Sequence, residues 1–87
     1  MISYVKQEWD NTAVKLMEEC GELTRALGKL YKHGRREDVM KNLSEECGDV
    51  MAMIDTLADQ GLIDRSIQTS KYHSTKAKYG VSAGSEQ

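Results

Sequence analysis

Proline and phenylalanine are both absent from the 87 residues, and aromatic side chains make up only 6% of the chain. Proline is the residue that most strongly breaks helices, so its absence leaves long stretches free to be helical. Leu, Met, Lys, Glu and Ala, which favour helices, dominate these stretches. The chain is also short enough that one small domain with a thin core is the natural expectation. We therefore predict an all-α protein whose single domain covers residues 1–79.

Long apolar runs are missing too, and cysteine is scarce. No run approaches the ~20 residues that span a bilayer, and the first residues lack a basic-then-apolar signal sequence. The two cysteines, Cys20 and Cys47, do not form a Cys-x-x-Cys motif. This pattern predicts two buried thiols in a reducing cytoplasm rather than a Cys20–Cys47 disulfide. We expect a cytoplasmic protein with no membrane partner. The net charge of −2 neither indicates nor excludes nucleic acid, and we expect no nucleic acid polymer as a partner.

Apolar periodicity and end signals predict three helices. The first is predicted over residues 3–32, with Ser3 as its N-terminal cap and a possible kink at residues 10–12. The second is predicted over 36–60, between two glycines that favour helix ends. A weaker third helix is predicted to begin at Asp64 or Ser66 and to end near Tyr79. The small polar residues 80–87 predict a disordered tail.

One short sequence occurs twice. Residues 16–23 read Leu-Met-Glu-Glu-Cys-Gly-Glu-Leu, and residues 43–50 read Leu-Ser-Glu-Glu-Cys-Gly-Asp-Val. At about 100° per residue, each repeat places two acids along one border of its apolar face and a third acid pointing away. The border pairs are Glu19 with Glu22, and Glu46 with Asp49, whereas the outward acids are Glu18 and Glu45.

An antiparallel hairpin of the two repeats would bring the four border carboxylates together. Like charges at one place repel and raise each other's pKa. We predict no Lys, Arg or His on the two borders to neutralise them, so a divalent cation is the expected solution. Ligands that are all oxygen favour Mg²⁺, Mn²⁺ or Ca²⁺ over Zn²⁺. The alternative interpretation is a salt-bridged helix surface without a metal.

The third predicted helix is basic. Between Arg65 and Tyr79 there is no acid, and the basic residues are Arg65, Lys71, His73, Lys76 and Lys78. A solvated basic face is the alternative explanation for most short helices. Acids that hold a metal and bases that hold phosphate would together suit a metal–polyphosphate ligand. A two-helix hairpin would also leave a second apolar face open, which predicts a four-helix core formed by homodimerisation.

The paired motifs resemble a known signature. Glu18-Glu19-x-x-Glu22 followed by Glu46-x-x-Asp49 is similar to the motif of the MazG-like, all-α nucleoside triphosphate pyrophosphohydrolases, in particular the short phage-type members. The resemblance covers roughly residues 14–60. It implies a helical bundle assembled as a dimer or a dimer of dimers. It also implies Mg²⁺-dependent cleavage of nucleoside or deoxynucleoside triphosphates to monophosphate and pyrophosphate, with Mn²⁺ as a possible substitute.

The resemblance assigns roles to particular residues. It implies that the metal ligands are Glu19, Glu22, Glu46 and Asp49, that Glu18 and Glu45 lie outside the ligand set, and that Lys71, Lys76 and Lys78 are candidates for binding phosphate. We interpret Glu19 or Glu22 as the group that activates water. Trp9 is a possible base-stacking residue, although its phase with the apolar face favours packing.

Two other functions remain compatible with these residues. One is a related enzyme with another substrate, such as a dimeric dUTPase-like enzyme or a phosphoribosyl-ATP pyrophosphohydrolase. The other is a non-catalytic helical interaction module.

Overall fold

In a computed structural model of the protein, which describes residues 5–80, the chain forms three α-helices. They are α1 (Asp10–His33), α2 (Glu37–Asp59) and α3 (Arg65–Tyr79), and the described part contains no strand. The all-α prediction is confirmed. The proposed cap at Ser3 and most of the predicted disordered tail lie outside the described residues.

The start predicted for α1 is wrong. Residues 5–9 are not helical, and the helix begins at Asp10, within the predicted kink at residues 10–12. The cause is a turn in which Gln7 and Asp10 bond to each other. The Gln7 backbone N–H donates to Asp10 Oδ2 at 2.7 Å, and the Asp10 N–H donates to the Gln7 carbonyl at 3.0 Å. This reciprocal pairing satisfies backbone groups at the entry to α1 and fixes where the helix starts.

A three-residue connection makes α1 and α2 antiparallel neighbours. Gly34 has φ 75°, a left-handed conformation that glycine adopts without steric cost, and its N–H donates to the Leu30 carbonyl at 2.8 Å. Gly61, with φ 81°, marks the corresponding end of α2. Both helix ends agree with the glycine signals in the sequence.

The seam between α1 and α2 follows a three-and-four spacing on both helices. On α1 the seam residues, which are buried or half-buried, are Thr12, Leu16, Glu19, Leu23, Ala26 and Leu30; on α2 they are Val39, Leu43, Glu46, Val50, Met53 and Leu57. This spacing is typical of two helices that pack side by side at a shallow angle. Most seam residues are apolar, but each helix places one glutamate in the seam, Glu19 in α1 and Glu46 in α2.

The hairpin has two different sides. Because α1 and α2 are antiparallel, the two repeats are related by an approximate two-fold axis perpendicular to the plane of the hairpin. Residues at equivalent positions of the two repeats therefore lie on the same side of that plane. Residues that follow the seam positions form what we name the apolar side: Ala13, Met17, Cys20, Thr24, Leu27 and Tyr31, with Met40, Ser44, Cys47, Met51, Ile54 and Ala58. The opposite side, which we name the acidic side, carries Lys15, Glu22, Asn42 and Asp49 next to the seam, whereas Glu18 and Glu45 lie further round, on the outward face.

The prediction of two buried thiols is wrong for the single chain. Cys20 and Cys47 are free and exposed because both lie on the apolar side, beside the seam rather than in it. Cys20 shares an apolar stripe with Leu16 and Leu23 in the sequence, but the seam itself passes through Glu19. The apolar stripe is therefore wider than the surface that one partner helix covers.

Helix α3 begins where the sequence predicted and then projects from the hairpin. Asp64 Oδ1 accepts from the backbone N–H groups of Ser66 at 2.9 Å and Ile67 at 3.2 Å, which makes Asp64 the cap. A hydrogen bond from the Ser66 hydroxyl and these two backbone bonds lower the pKa of Asp64. Arg65 pairs with Asp55 of α2 at 3.0 Å. No residue of α3 is buried, and the molecule measures 56 × 29 × 22 Å.

Candidate metal centre

Glu19 is the deepest of the motif acids. Its side chain is only 11% exposed, because it lies in the α1–α2 seam between Leu16 and Leu23. A buried carboxylate requires a positive partner or hydrogen-bond donors to offset the loss of water. Lys15, one turn earlier in α1, supplies this partner, with its Nζ 3.1 Å from Glu19 Oε2. This ion pair raises the pKa of Lys15, mainly through the hydrogen bond with Glu19.

Glu46 faces Glu19 across the seam and has no such partner. Its Oε1 is buried and makes no hydrogen bond. The pKa of Glu46 is raised, first by loss of water and then by the negative charges of Glu22, Asp49, Glu19 and Glu45. A buried acceptor without a donor destabilises the fold, so this oxygen marks a place where a bound cation would be stabilising.

Three motif acids converge. Glu19, Glu46 and Asp49 each place one carboxylate oxygen within 4.8 Å of the oxygens of the other two. Two helices position them, because the repeats put Glu46 in the seam and Asp49 one turn later on the acidic side. Three carboxylate oxygens at this separation can ligate one hard divalent cation.

Glu22 stands apart from this cluster. Its side chain is 47% exposed and is paired with Arg25 Nη2 at 2.6 Å, one turn further along α1. Even so, its charge is the largest electrostatic contribution to the raised pKa of Glu46. Glu22 therefore lies on the acidic side at the rim of the cluster, where water can reach it.

The prediction that no cation neutralises the motif acids is wrong. Lys15 precedes Glu19 by one turn and Arg25 follows Glu22 by one turn, and both bind the neighbouring acid. The (i, i+4) and (i, i+3) spacings that allow these pairs were visible in the sequence. They were missed because Lys15 and Arg25 stand outside the repeated segment.

The outward acids behave differently. Glu18 and Glu45 are exposed, with side chains 61% and 60% accessible. Glu18 lies 3.7 Å from Lys15 Nζ, and Glu45 accepts a hydrogen bond from Lys41 at 2.9 Å. Neither belongs to the group of converging oxygens.

The comparison with known families decides the family. Residues 7–79 match the model of the MazG nucleotide pyrophosphohydrolase domain. The chain belongs to this family. No curated protein and no solved structure matches the chain significantly. The MazG domain match covers all three helices, so the motif acids and the basic α3 lie within one family domain.

MazG membership assigns the chain to the nucleotide pyrophosphohydrolases, a family that generally depends on a divalent metal ion. The residues of this chain fit such an ion on two grounds. The donor set of the cluster is all oxygen, which suits Mg²⁺ or Mn²⁺, and the orphaned Glu46 Oε1 needs a positive partner.

Four other predicted site residues are not brought to the cluster. Trp9 is half-buried and precedes α1, ten residues before Glu19. This spacing separates them by about 15 Å along the helix axis at 1.5 Å per residue. The lysines of α3 are exposed on a helix that barely contacts the hairpin; they are Lys71, Lys76 and Lys78.

Among residues 5–80, no helix is long and apolar enough to cross a membrane.

Proposed function

We propose that the protein hydrolyses nucleoside or deoxynucleoside triphosphates to the monophosphate and pyrophosphate, with Mg²⁺ as cofactor. The observation that carries this proposal is the cluster of Glu19, Glu46 and Asp49 inside a MazG domain, with one buried Glu46 oxygen that has no partner. A bare set of salt-bridged surface acids would not bury a carboxylate oxygen without a donor. The cluster is thus better suited to a cation than to a solvated helix surface.

In this proposal the cluster holds Mg²⁺, and Glu22 lies beside it at the rim. When bound, Mg²⁺ supplies positive charge to neutralise the polyphosphate and lowers the pKa of coordinated water. Mn²⁺, with similar oxygen preference, is expected to substitute. Glu18 and Glu45 affect the site only through their charge, because they point outward and are already paired.

We assign the general base to Glu22 rather than to Glu19. Both acids have a cationic partner, Arg25 for Glu22 and Lys15 for Glu19, but only Glu22 is exposed at the rim, where a water molecule can approach. Glu22 would accept the proton as the water oxygen attacks the α-phosphorus. The bond from the α-phosphorus to the bridging α–β oxygen then breaks, and pyrophosphate leaves with the bonding electrons.

We further propose that the working form is a homodimer. Among the described residues of the single chain, the only buried apolar residues are Ala26 and Val39. On the apolar side, Met17 is 66% and Met51 64% exposed. A second copy packed on this side would complete a four-helix core and leave the acidic side open to nucleotide. In this dimer, the candidates to reach the phosphates from the second copy are Lys71, Lys76 and Lys78 of α3.

The experiment that tests the reaction is release of pyrophosphate from a panel of nucleotides with Mg²⁺, Mn²⁺ or chelator. The panel should include dUTP and phosphoribosyl-ATP. Activity on several triphosphates supports the proposal, whereas activity confined to dUTP or phosphoribosyl-ATP would replace it with that narrower enzyme. Absence of pyrophosphate release from every nucleotide would contradict it and favour a non-catalytic module.

Matched variants show whether the assigned site is responsible for any activity. Glu22→Gln and Asp49→Asn remove a charge from the acidic side at the cluster, and each should abolish most turnover. Glu18→Gln removes a neighbouring charge that points outward, and it should have a smaller effect. A larger loss for Glu18→Gln than for Glu22→Gln would show that the assigned site is wrong.

A further inference from the structure

The two halves of the acid cluster are neutralised unequally. Glu19 and Glu46 occupy equivalent positions in the two repeats, and the residue four before Glu19 is Lys15. In the second repeat the equivalent of Lys15 is Asn42. Lys15 Nζ binds Glu19 Oε2 at 3.1 Å, whereas Asn42 makes no bond to Glu46, whose Oε1 stays unpartnered. One half of the cluster therefore carries a tethered cation and the other half does not.

Lys15 is the sole Lys or Arg in residues 5–80 that forms an ion pair with any of the three cluster acids. Its ammonium lies on an oxygen atom of a carboxylate that the divalent cation would also need. Two cations cannot approach the same small set of oxygens without mutual repulsion. Binding of a divalent cation at the cluster must therefore weaken or displace the Lys15–Glu19 pair.

Lys15 is also free to move. Its side chain is 55% exposed, and its flexible four-carbon stem lies on the acidic side rather than in the seam. Released from Glu19, the ammonium stays beside the cluster, where the phosphates of a metal-bound nucleotide would lie. A phosphate oxygen would replace the carboxylate as its partner. By contrast, the α3 lysines of the same chain barely contact the hairpin.

We propose that Lys15 is a positioning residue that couples metal and nucleotide binding. It neutralises Glu19 in the metal-free protein, gives up that carboxylate to the divalent cation, and then binds the phosphates of the nucleotide. Metal alone must displace Lys15 without compensation, whereas metal with nucleotide gives Lys15 a new partner. Each ligand therefore strengthens binding of the other. This inference rests on the proposed function, since it uses the same metal site.

The test measures Mn²⁺ affinity by calorimetry without nucleotide and again with a non-hydrolysable α,β-methylene triphosphate. Lys15→Met removes the tethered charge and keeps the apolar stem. Lys41→Met is the matched control, because Lys41 also pairs with the glutamate four residues later, Glu45 at 2.9 Å, but on the outward face. Circular dichroism of each variant verifies that the helices remain.

In the wild type, Mn²⁺ should bind more tightly when the analogue is present. Lys15→Met should bind Mn²⁺ alone roughly fivefold more tightly, as expected from removing one like charge a few ångströms away. The same variant should lose most of the strengthening by the analogue. Lys41→Met should match the wild type. Asn42→Lys, which adds a cation one turn before Glu46, should weaken binding of Mn²⁺ alone.

Unchanged or weaker Mn²⁺ binding by Lys15→Met, while the wild type binds Mn²⁺, would overturn the role of Lys15 and leave the metal site intact. Equal strengthening by the analogue in the wild type and in Lys15→Met would overturn the coupling. Failure of both proteins to bind Mn²⁺ would overturn the proposed metal site itself, and this inference with it.

Discussion

At the scale of single residues, Glu46 combines a structural cost with a proposed function. Its buried Oε1 has no hydrogen-bond donor, and its pKa is raised first by loss of water and then by four neighbouring carboxylates. Such a group destabilises the metal-free fold when it is ionised. Groups of this kind are often retained because they bind a ligand, so stability and ligand binding should respond in opposite directions to its removal.

Replacing Glu46 by glutamine tests this opposition. Glu46→Gln keeps the shape and removes the charge, so the metal-free protein should melt at a higher temperature than the wild type. Millimolar Mg²⁺ should raise the melting temperature of the wild type by mass action but should leave the variant unchanged. Glu45→Gln is the control, and it should keep the response to Mg²⁺. A variant that melts lower without metal, or still responds to Mg²⁺, would contradict this view of Glu46.

The pH dependence of stability follows from the same raised pKa. Below the unfolded-state pKa, Glu46 is protonated in both the folded and the unfolded state, so its ionisation does not lower the free energy of unfolding. As pH rises above that value towards the higher folded-state pKa, the unfolded state releases its proton first, so the folded state loses stability relative to it. Across acidic pH, the melting temperature of Glu46→Gln should therefore rise relative to that of the wild type as pH increases through this window. Mg²⁺, which needs the ionised carboxylate, should reverse the difference. A difference between the two proteins that is independent of pH would refute this explanation.

At the scale of the helices, the α1–α2 seam depends on small apolar residues near the connection between the two helices. Ala26 is 1% exposed and Val39 is 4% exposed, so both side chains are covered by their neighbours. Packing of the two helices there helps to fix the relative position of Glu19 and Glu46 further along the seam.

Overpacking this position should disturb both stability and the site. Ala26→Leu adds three carbons to a filled position and should destabilise the fold by about 1–3 kcal/mol. Ala52→Leu makes the same change at an exposed position of α2 and should have little effect. Urea denaturation of both variants gives the comparison. Equal stability of Ala26→Leu and the wild type would show that the seam is looser than the burial indicates.

The helices and the repeated acids were predictable, because local signals encode them. Gly34, Gly61 and Asp64 each end or begin a helix through backbone bonds that involve a few neighbouring residues. The start of α1 was not predictable from apolar phase alone, since the reciprocal Gln7–Asp10 turn outweighs the apolar residues before it. The neutralising role of Lys15 and the exposure of Cys20 depend on which part of a wide apolar stripe faces α2. That choice is made by tertiary packing rather than by periodicity.

At the scale of the whole molecule, the single chain buries too little apolar surface. Burial of large apolar side chains is the main stabilising contribution to a fold, and Met17, Leu27 and Met51 are all exposed in the single chain. Small domains compensate for a thin core by disulfides, metals or self-association. Both cysteines are free, so a metal on the acidic side and a second copy on the apolar side are the stabilising contributions that we propose.

A charge on the apolar side should therefore separate the subunits. We expect the wild type to sediment as a homodimer at least, and Met17→Lys with Met51→Lys to sediment as a monomer with reduced helicity. Val14→Lys is the control, because Val14 is also exposed, at 50%, but its direction on the helix points away from the seam and outside the apolar side. Dilution of the wild type should reduce helicity and pyrophosphate release together, because in the proposed dimer the partner completes the apolar core. A well-folded, fully active monomer at nanomolar concentration would contradict the dimer.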